Sequence, residues 1–301
     1  MVVRRCLSFL LVAGNAVSTV TLHGGRELSD ECIHRLDDEH RVESLPDGQG
    51  DVLVRLSTGE RTVLPPCPGG TGASPEPRNE RYYSDWVVDT VYVHEEIGTF
   101  LTNWTVPKAP TSRGPLPGMS SAYLFNGLEN GGGVEGKATL ILQPVLSYGK
   151  SGCILDPFAG WRFTAFQVTQ AGRAFCGPSI AVQEGDMLQG RMELVDGGDT
   201  WRITADAGPR GRSVHNVAGA SFHANAAYLT LEGMVIYSCA ALPGAGVAWR
   251  TNVLADAKGR SLSPRWKTEI RHTQCGPQAN FAGPDVEMAW NSTQEGSMLV
   301  V

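Results

Sequence analysis

The sequence predicts an all-β protein, a sandwich or barrel of many short strands. Three observations carry this. Runs of strand length alternate apolar and polar residues, as in Thr99–Val106, where Phe100, Thr102, Trp104 and Val106 share one face and Leu101, Asn103 and Thr105 the other. The chain is punctuated throughout by 36 glycines and 18 prolines among its 301 residues. No long amphipathic helical pattern interrupts the main body.

In chain order, Arg4 and Arg5 form a positive region ahead of the apolar Cys6–Ala13 stretch, which is too short to span a bilayer. Residues 1–18 therefore read as a signal peptide cleaved after Ala16 or Ser18, and the protein is expected to be secreted. Residues 19–80 read as a small N-terminal module or propeptide, followed by a Pro/Gly linker. Ser29–His40 is expected as a short helix capped by Ser29. Val52–Leu56 and Thr62–Leu64 flank Ser57–Glu60 as a hairpin. Pro65–Pro77 holds too little apolar surface to fold. The sandwich domain is expected over 81–301.

Within that domain, strands are expected at Trp86–His94, Thr99–Val106, Ala122–Asn126 (stopped by Gly127), Ala138–Tyr148, Gly160–Val168, Ser179–Val182, Met187–Leu194, Trp201–Ala205, Ala227–Glu232 and Val247–Ala255. Glu184-Gly-Asp186 is a hairpin turn. The alternation of Leu188, Met192 and Leu194 with Gln189, Arg191 and Glu193 marks a sheet with one wet face.

Cys6 leaves with the signal, and six cysteines remain. An even count in a secreted chain points to disulfides, expected in sequence order as Cys32–Cys67, Cys153–Cys176 and Cys239–Cys275. No C-x-x-C pair and no clustered histidines suggest zinc, so no metal site is expected. Asn103-Trp-Thr and Asn291-Ser-Thr are glycosylation sequons. The net charge of −6 is dispersed, with no basic stripe, so nucleic acid is not an expected partner. No second stretch is apolar enough for a membrane anchor, and a monomer is expected.

Gln143 is the polar residue that stands out. It shares one face of its strand with Ile141 and Val145, and a buried amide must find partners or face a cleft. On a later strand, Tyr228, Thr230 and Glu232 share the face opposite Ala227, Leu229 and Leu231. The sequence has no G-x-S-x-G, H-E-x-x-H or P-loop motif.

Tyr123-Leu-Phe-Asn-Gly-Leu-Glu129 followed by Leu140-Ile-Leu-Gln143 resembles the fungal glutamic peptidases (eqolisins). The later order is similar too: a Trp-bearing strand at Trp161, then Ile180–Met187, then Tyr228-Leu-Thr-Leu-Glu232. The resemblance spans about residues 82–255. It implies a concanavalin A-like or jelly-roll sandwich of two curved antiparallel sheets, and a glutamic endopeptidase working at acidic pH. Matched by motif, Glu232 would be the general base and acid that activates water, and Gln143 the oxyanion donor on a neighbouring strand. Glu129, Trp161, Tyr228 and Thr230 are candidates for the substrate cleft. This chemistry needs neither metal nor cofactor, and its partner is a polypeptide substrate. Here the family's pattern changes beside the glutamine, at Pro144-Val145, along Trp161–Phe166, and at Gly233 after Glu232. The rival reading is a lectin-like sandwich holding a glycan on exposed aromatic rings, or a polysaccharide-acting enzyme on the same scaffold.

Overall fold

The computed structural model describes residues 19–22, 26–68, 83–114, 120–131, 140–150, 153–154, 160–244 and 246–293. The signal-peptide expectation at 1–18 and most of the expected linker lie outside the described residues. The described residues form 22 strands, some short 3-10 turns and no α-helix.

In chain order the strands are β1 (Thr19–Leu22), β2 (Arg26–Ser29), β3 (Ile33–Arg35), β4 (His40–Ser44), β5 (Asp51–Arg55), β6 (Arg61–Leu64), β7 (Tyr83–Val93), β8 (Thr99–Thr105), β9 (Ser121–Glu129), β10 (Ile141–Tyr148) and β11 (Trp161–Val168). There follow β12 (Ala174–Cys176), β13 (Ile180–Ala181), β14 (Met187–Val195), β15 (Thr200–Asp206), β16 (Arg212–Ala218), β17 (Ala226–Ile236), β18 (Gly246–Ala255), β19 (Ser261–Leu262), β20 (Lys267–Ile270), β21 (Gln278–Ala282) and β22 (Asp285–Ala289).

Apart from the β1–β2 hairpin, these strands make two large sheets. The first runs β20-β7-β17-β9-β10-β11-β12-β3, with β13 also paired to β11. The second runs β21-β22-β18-β8-β14-β15-β16-β4-β5-β6, with β19 paired to β18. The expected all-β sandwich is present. Almost every pairing is antiparallel; β12–β3 and β16–β4 are parallel.

The core between the sheets takes one side-chain parity from each strand. Leu124, Leu128, Leu142, Leu146, Phe163, Leu229 and Leu231 of the first sheet pack with Phe100, Trp104, Leu188, Met192, Trp201 and Ile203 of the second. Leucine, branched and aromatic side chains of this kind bury roughly 1.5–3 kcal/mol each relative to exposure, the main force closing the two layers.

The N-terminal stretch joins both layers. β3 extends the first sheet and β4–β6 the second. The expected hairpin is β5–β6. The expected helix over Ser29–His40 is not formed: one 3-10 turn, Asp30–Cys32, leads straight into β3. Local polarity suited a helix, but pairing of Ile33–Arg35 with Ala174–Cys176 decides the conformation. The three disulfides join the cysteines in sequence order, as expected, with Cα–Cα separations of 5.9, 6.1 and 5.5 Å.

Candidate functional site

The first sheet has an unusual outer face. A sandwich sheet ordinarily leaves this side wet. Here Trp86, Val91, Phe125, Val145, Phe166, Ala226 and Tyr228 form a second buried cluster with Cys32, Cys67, Cys153 and Cys176. Two disulfides thus lie against the side of the sheet away from the core. Polar groups trapped among these residues cannot default to bulk water, so each must be accounted for.

The register aligns them in rows across the strands. Gln143 of β10 lies opposite Phe166 of β11. On its other side, the pairs Leu142–Leu128 and Val145–Phe125 set Gln143 level with Gly127 of β9, and Gly127 faces Tyr228 of β17. Gly127 has no side chain, so none stands between Gln143 and Tyr228 in this row. Two residues along β9, and so on the same face, Glu129 pairs with Ala226. Glu129 is thus the diagonal neighbour of both Gln143 and Tyr228, at about 7–8 Å between backbones, within reach of long side chains.

Glu129 is 6% exposed and Gln143 7%. Burial raises the Glu129 carboxyl to about 7; the Tyr228 hydroxyl, which donates a hydrogen bond to it, and the positive charge of Arg271 hold it from going higher. The Tyr228 phenol is driven up, by burial first and then by the charge of Glu129. Gln143 Oε1 is buried with no hydrogen-bond partner among the described residues, and so are the hydroxyls of Thr164 and Thr230 in the next row. An unpartnered buried amide costs about 1–3 kcal/mol, which a bound ligand or water would relieve.

Arg271 closes one side of the cluster. It follows β20, and its backbone N–H donates to the Val87 carbonyl at 3.1 Å. Its guanidinium lies 3.4 Å from Asp89 and 3.5 Å from Glu269, and 5.2 Å over the Trp86 ring. Asp89 has no exposed surface and is raised to about 7 by burial, against the opposing pull of Arg271.

The structure therefore gathers Gln143, Glu129, Tyr228 and Thr230 on one face, and separates Glu232 and Trp161 from them. Glu232 shares the face, but β9 lies between β10 and β17, and Glu232 is level with Tyr123 rather than Gly127. Two strand spacings and four residues of rise put it about 16 Å from Gln143 between backbones. The expectation that Gln143 and Glu232 stand on neighbouring strands is corrected: alternation fixes a residue's face but neither strand order nor register. Glu232 is buried as well; it is 7% exposed, and burial raises its carboxyl to about 8. Trp161, expected in the cleft wall, turns into the core between the sheets and meets Tyr148 edge-on.

Asp89 and Arg271 were not singled out from the sequence. Asp89 carried a signal akin to that of Gln143, the one charged residue inside the run Trp86–Val93. Arg271 offered none, because only the fold brings it back over Trp86. The sequon residue Asn103 lies on the outer face of the second sheet and accepts a hydrogen bond from Gln189 at 3.1 Å; Asn291 is exposed. A groove of about 520 Å³ on that second face is lined by charges of both signs, among them Arg191, Glu193, Arg202 and Asp206. It is the wet face the alternation of β14 predicts, with no aromatic side chain in its lining.

Together these features define a disulfide-bonded β-sandwich with a buried acid–amide–phenol cluster on one sheet. No helix among the described residues is long and apolar enough to cross a membrane. No family model matches the chain, and no curated protein does. Among solved structures, a scytalido-glutamic peptidase with a transition-state analogue inhibitor is similar at 15% identity and a TM-score of 0.49, over 69% of this chain and 99% of that one. The CBM2 module of the Lactobacillus casei BL23 phage J-1 evolved Dit aligns at 11% identity and a TM-score of 0.32, over 65% and 63%. An alginate lyase from Klebsiella pneumoniae aligns at 13% identity and a TM-score of 0.28, over 58% and 60%. These likenesses are distant and concern β architecture.

Proposed function

We propose that the protein is a secreted peptidase of the glutamic type in which Glu129, beside Gln143 and Tyr228, is the acid–base group. The juxtaposition of Gln143 and Glu129 on neighbouring strands is the observation that carries this reading. The ionised Glu129 would take a proton from water as the water attacks a peptide carbonyl. The Gln143 amide would donate to the oxyanion that develops, and Glu129 would return the proton to the leaving amine. Tyr228 orients the Glu129 carboxyl through its hydrogen bond. The three disulfides suit an oxidising compartment.

Burial alters the expected pH range. With Glu129 held at about 7, its base form accumulates only as pH approaches neutrality. Activity is therefore expected to rise between mildly acidic and neutral pH, rather than to peak in strong acid.

The lectin-like alternative requires ring faces open to solvent. On this face Trp86, Phe125, Phe166 and Tyr228 are buried. Among the exposed large hydrophobic side chains of the described residues the aromatic one is Phe281, on β21 of the other sheet. The peptidase reading is tested by cleavage of a denatured protein across pH 3–9 by the wild type, Glu129→Gln and Gln143→Ala. Loss of cleavage in both folded variants supports it. Cleavage that survives in Glu129→Gln with an unchanged pH profile, or no cleavage by the wild type at any pH, refutes it.

A further inference from the structure

The sequon at Asn103 and the charged groove of the second sheet share one face and one row of residues. Asn103 of β8 pairs with Gln189 of β14, Gln189 with Asp206 of β15, and Asp206 with Arg212 of β16. Gln189, Asp206 and Arg212 line the groove. Alternation turns Trp104 into the core and leaves Asn103 and Thr105 on the outside. The Gln189 amide donates to Asn103 Oδ1 at 3.1 Å. Asn103 Nδ2, the atom to which a glycan is joined, makes no hydrogen bond among the described residues. One strand spacing, about 4.8 Å, separates the Asn103 backbone from the groove wall at Gln189.

The groove holds polar groups that lack partners. Asn216 is 4% exposed, and its Oδ1 accepts no hydrogen bond among the described residues; Arg191 Nε and Arg41 Nε donate none. Arg202 stands between Asn216 and Glu193 across the strands, but Glu193 is taken by Arg191 at 2.7 Å. Each buried group left unpartnered costs about 1–3 kcal/mol, which a ligand rich in hydroxyls would recover. A hydroxyl both donates and accepts, so it suits amides, guanidinium groups and carboxylates alike. A charged ligand would meet its own sign somewhere in this lining. The volume, about 520 Å³, falls within the roughly 300–1,000 Å³ of small-molecule sites.

We propose that Asn103 carries an N-linked glycan and that the groove holds it, a neutral oligosaccharide folded back across β14 and β15 towards Arg202 and Asn216. Arg202 lies two strand spacings and four residues of rise from Asn103, about 16 Å, a reach of a few sugar rings. With no aromatic ring to stack on, the groove would hold a free sugar weakly. Tethering changes the balance. A glycan joined one strand away is present at an effective concentration of about 1 mM, so an intrinsic Kd of about 0.1 mM keeps it docked about nine-tenths of the time.

The test uses the full chain secreted from a yeast host that attaches high-mannose glycans. An endoglycosidase that cuts between the first two sugars is added to the native and the denatured protein, and glycopeptide mass spectrometry follows each sequon. The exposed Asn291 supplies a reference in the same molecule. On the native protein the Asn103 glycan should be cut about tenfold more slowly than on the denatured protein, and more slowly than any glycan at Asn291. Arg202→Ala removes a charged donor to the sugar and should bring the native rate to within about twofold of the denatured one. An Asn103 without glycan, native cleavage as fast as denatured, or protection that persists in folded Arg202→Ala overturns the proposal. If Arg202→Ala does not fold, NMR of the wild type grown on 13C-labelled glucose decides. Sugar signals of the Asn103 glycan as broad as those of the protein support docking, and sharp signals overturn it.

Discussion

Replacing Glu232 by glutamine should stabilise this protein increasingly as pH rises. The neutral Glu232 carboxyl is favoured in the fold, where burial lifts it from 4.5 to about 8. Between those values the folded state keeps a proton that the unfolded chain has released, so stability falls as pH rises. The full displacement corresponds to about 5 kcal/mol at pH 8. Water at the slightly exposed edge of the site and relaxation around the charge reduce this to about 2–4 kcal/mol. Glutamine keeps the shape and removes the titration. At pH 5, where Glu232 is neutral in the fold, the variant should differ from wild type by about 1 kcal/mol or less. Urea unfolding at pH 5, 6, 7 and 8 measures it. The wild-type midpoint should decline with pH more steeply than that of Glu232→Gln, and the two curves should diverge. Parallel curves, or a variant whose deficit grows with pH, would refute the argument that this carboxyl is buried without a cation.

Other consequences follow from the same coordinates. Tyr228→Phe removes a hydrogen bond that holds Glu129 down, so the rising limb of kcat/KM against pH should move up by about one pH unit. In Gly190→Ala the new methyl would fall on Asn126 Oδ1 and within 2.7 Å of Pro144 and 2.8 Å of Trp104. That overpacking should cost about 1–3 kcal/mol, seen as a lower Tm by calorimetry. Replacing Cys239 and Cys275 together by alanine opens a link across 36 residues, with an expected loss of about 4 kcal/mol by chain-entropy arguments, read from urea unfolding.

Much of the fold was legible in local pattern. Alternation along Ala227–Glu232 assigned the correct face to every residue of that stretch of β17, and the cysteine order predicted the disulfides. Alternation does not say which face is the core when both are apolar, and this explains Trp161. Its strand carries Trp161, Phe163 and Ala165 on one side and Phe166 on the other, and all four are buried. Nor does local pattern reveal cover that comes from far along the chain. The local pattern around Glu232 does not show that its face is covered, because Cys32, Cys67 and Cys153 lie far from it in sequence, yet they join the buried cluster on that face. The candidate site was half visible. Gln143, Glu129 and Tyr228 were singled out, but their grouping depends on β9 lying between β10 and β17. That order is set by long-range pairing rather than by any motif.

The central claim is that Gln143 works with Glu129. A double-mutant cycle in kcat/KM tests it most directly, with Gln143→Ala combined in turn with Glu129→Gln and with Glu232→Gln. Groups that act on one transition state couple, whereas groups about 16 Å apart do not. The account predicts that Gln143→Ala with Glu129→Gln loses little more than the worse single variant, while the effects of Gln143→Ala and Glu232→Gln multiply. Strong coupling between Gln143 and Glu232, with independent effects at Gln143 and Glu129, would contradict it.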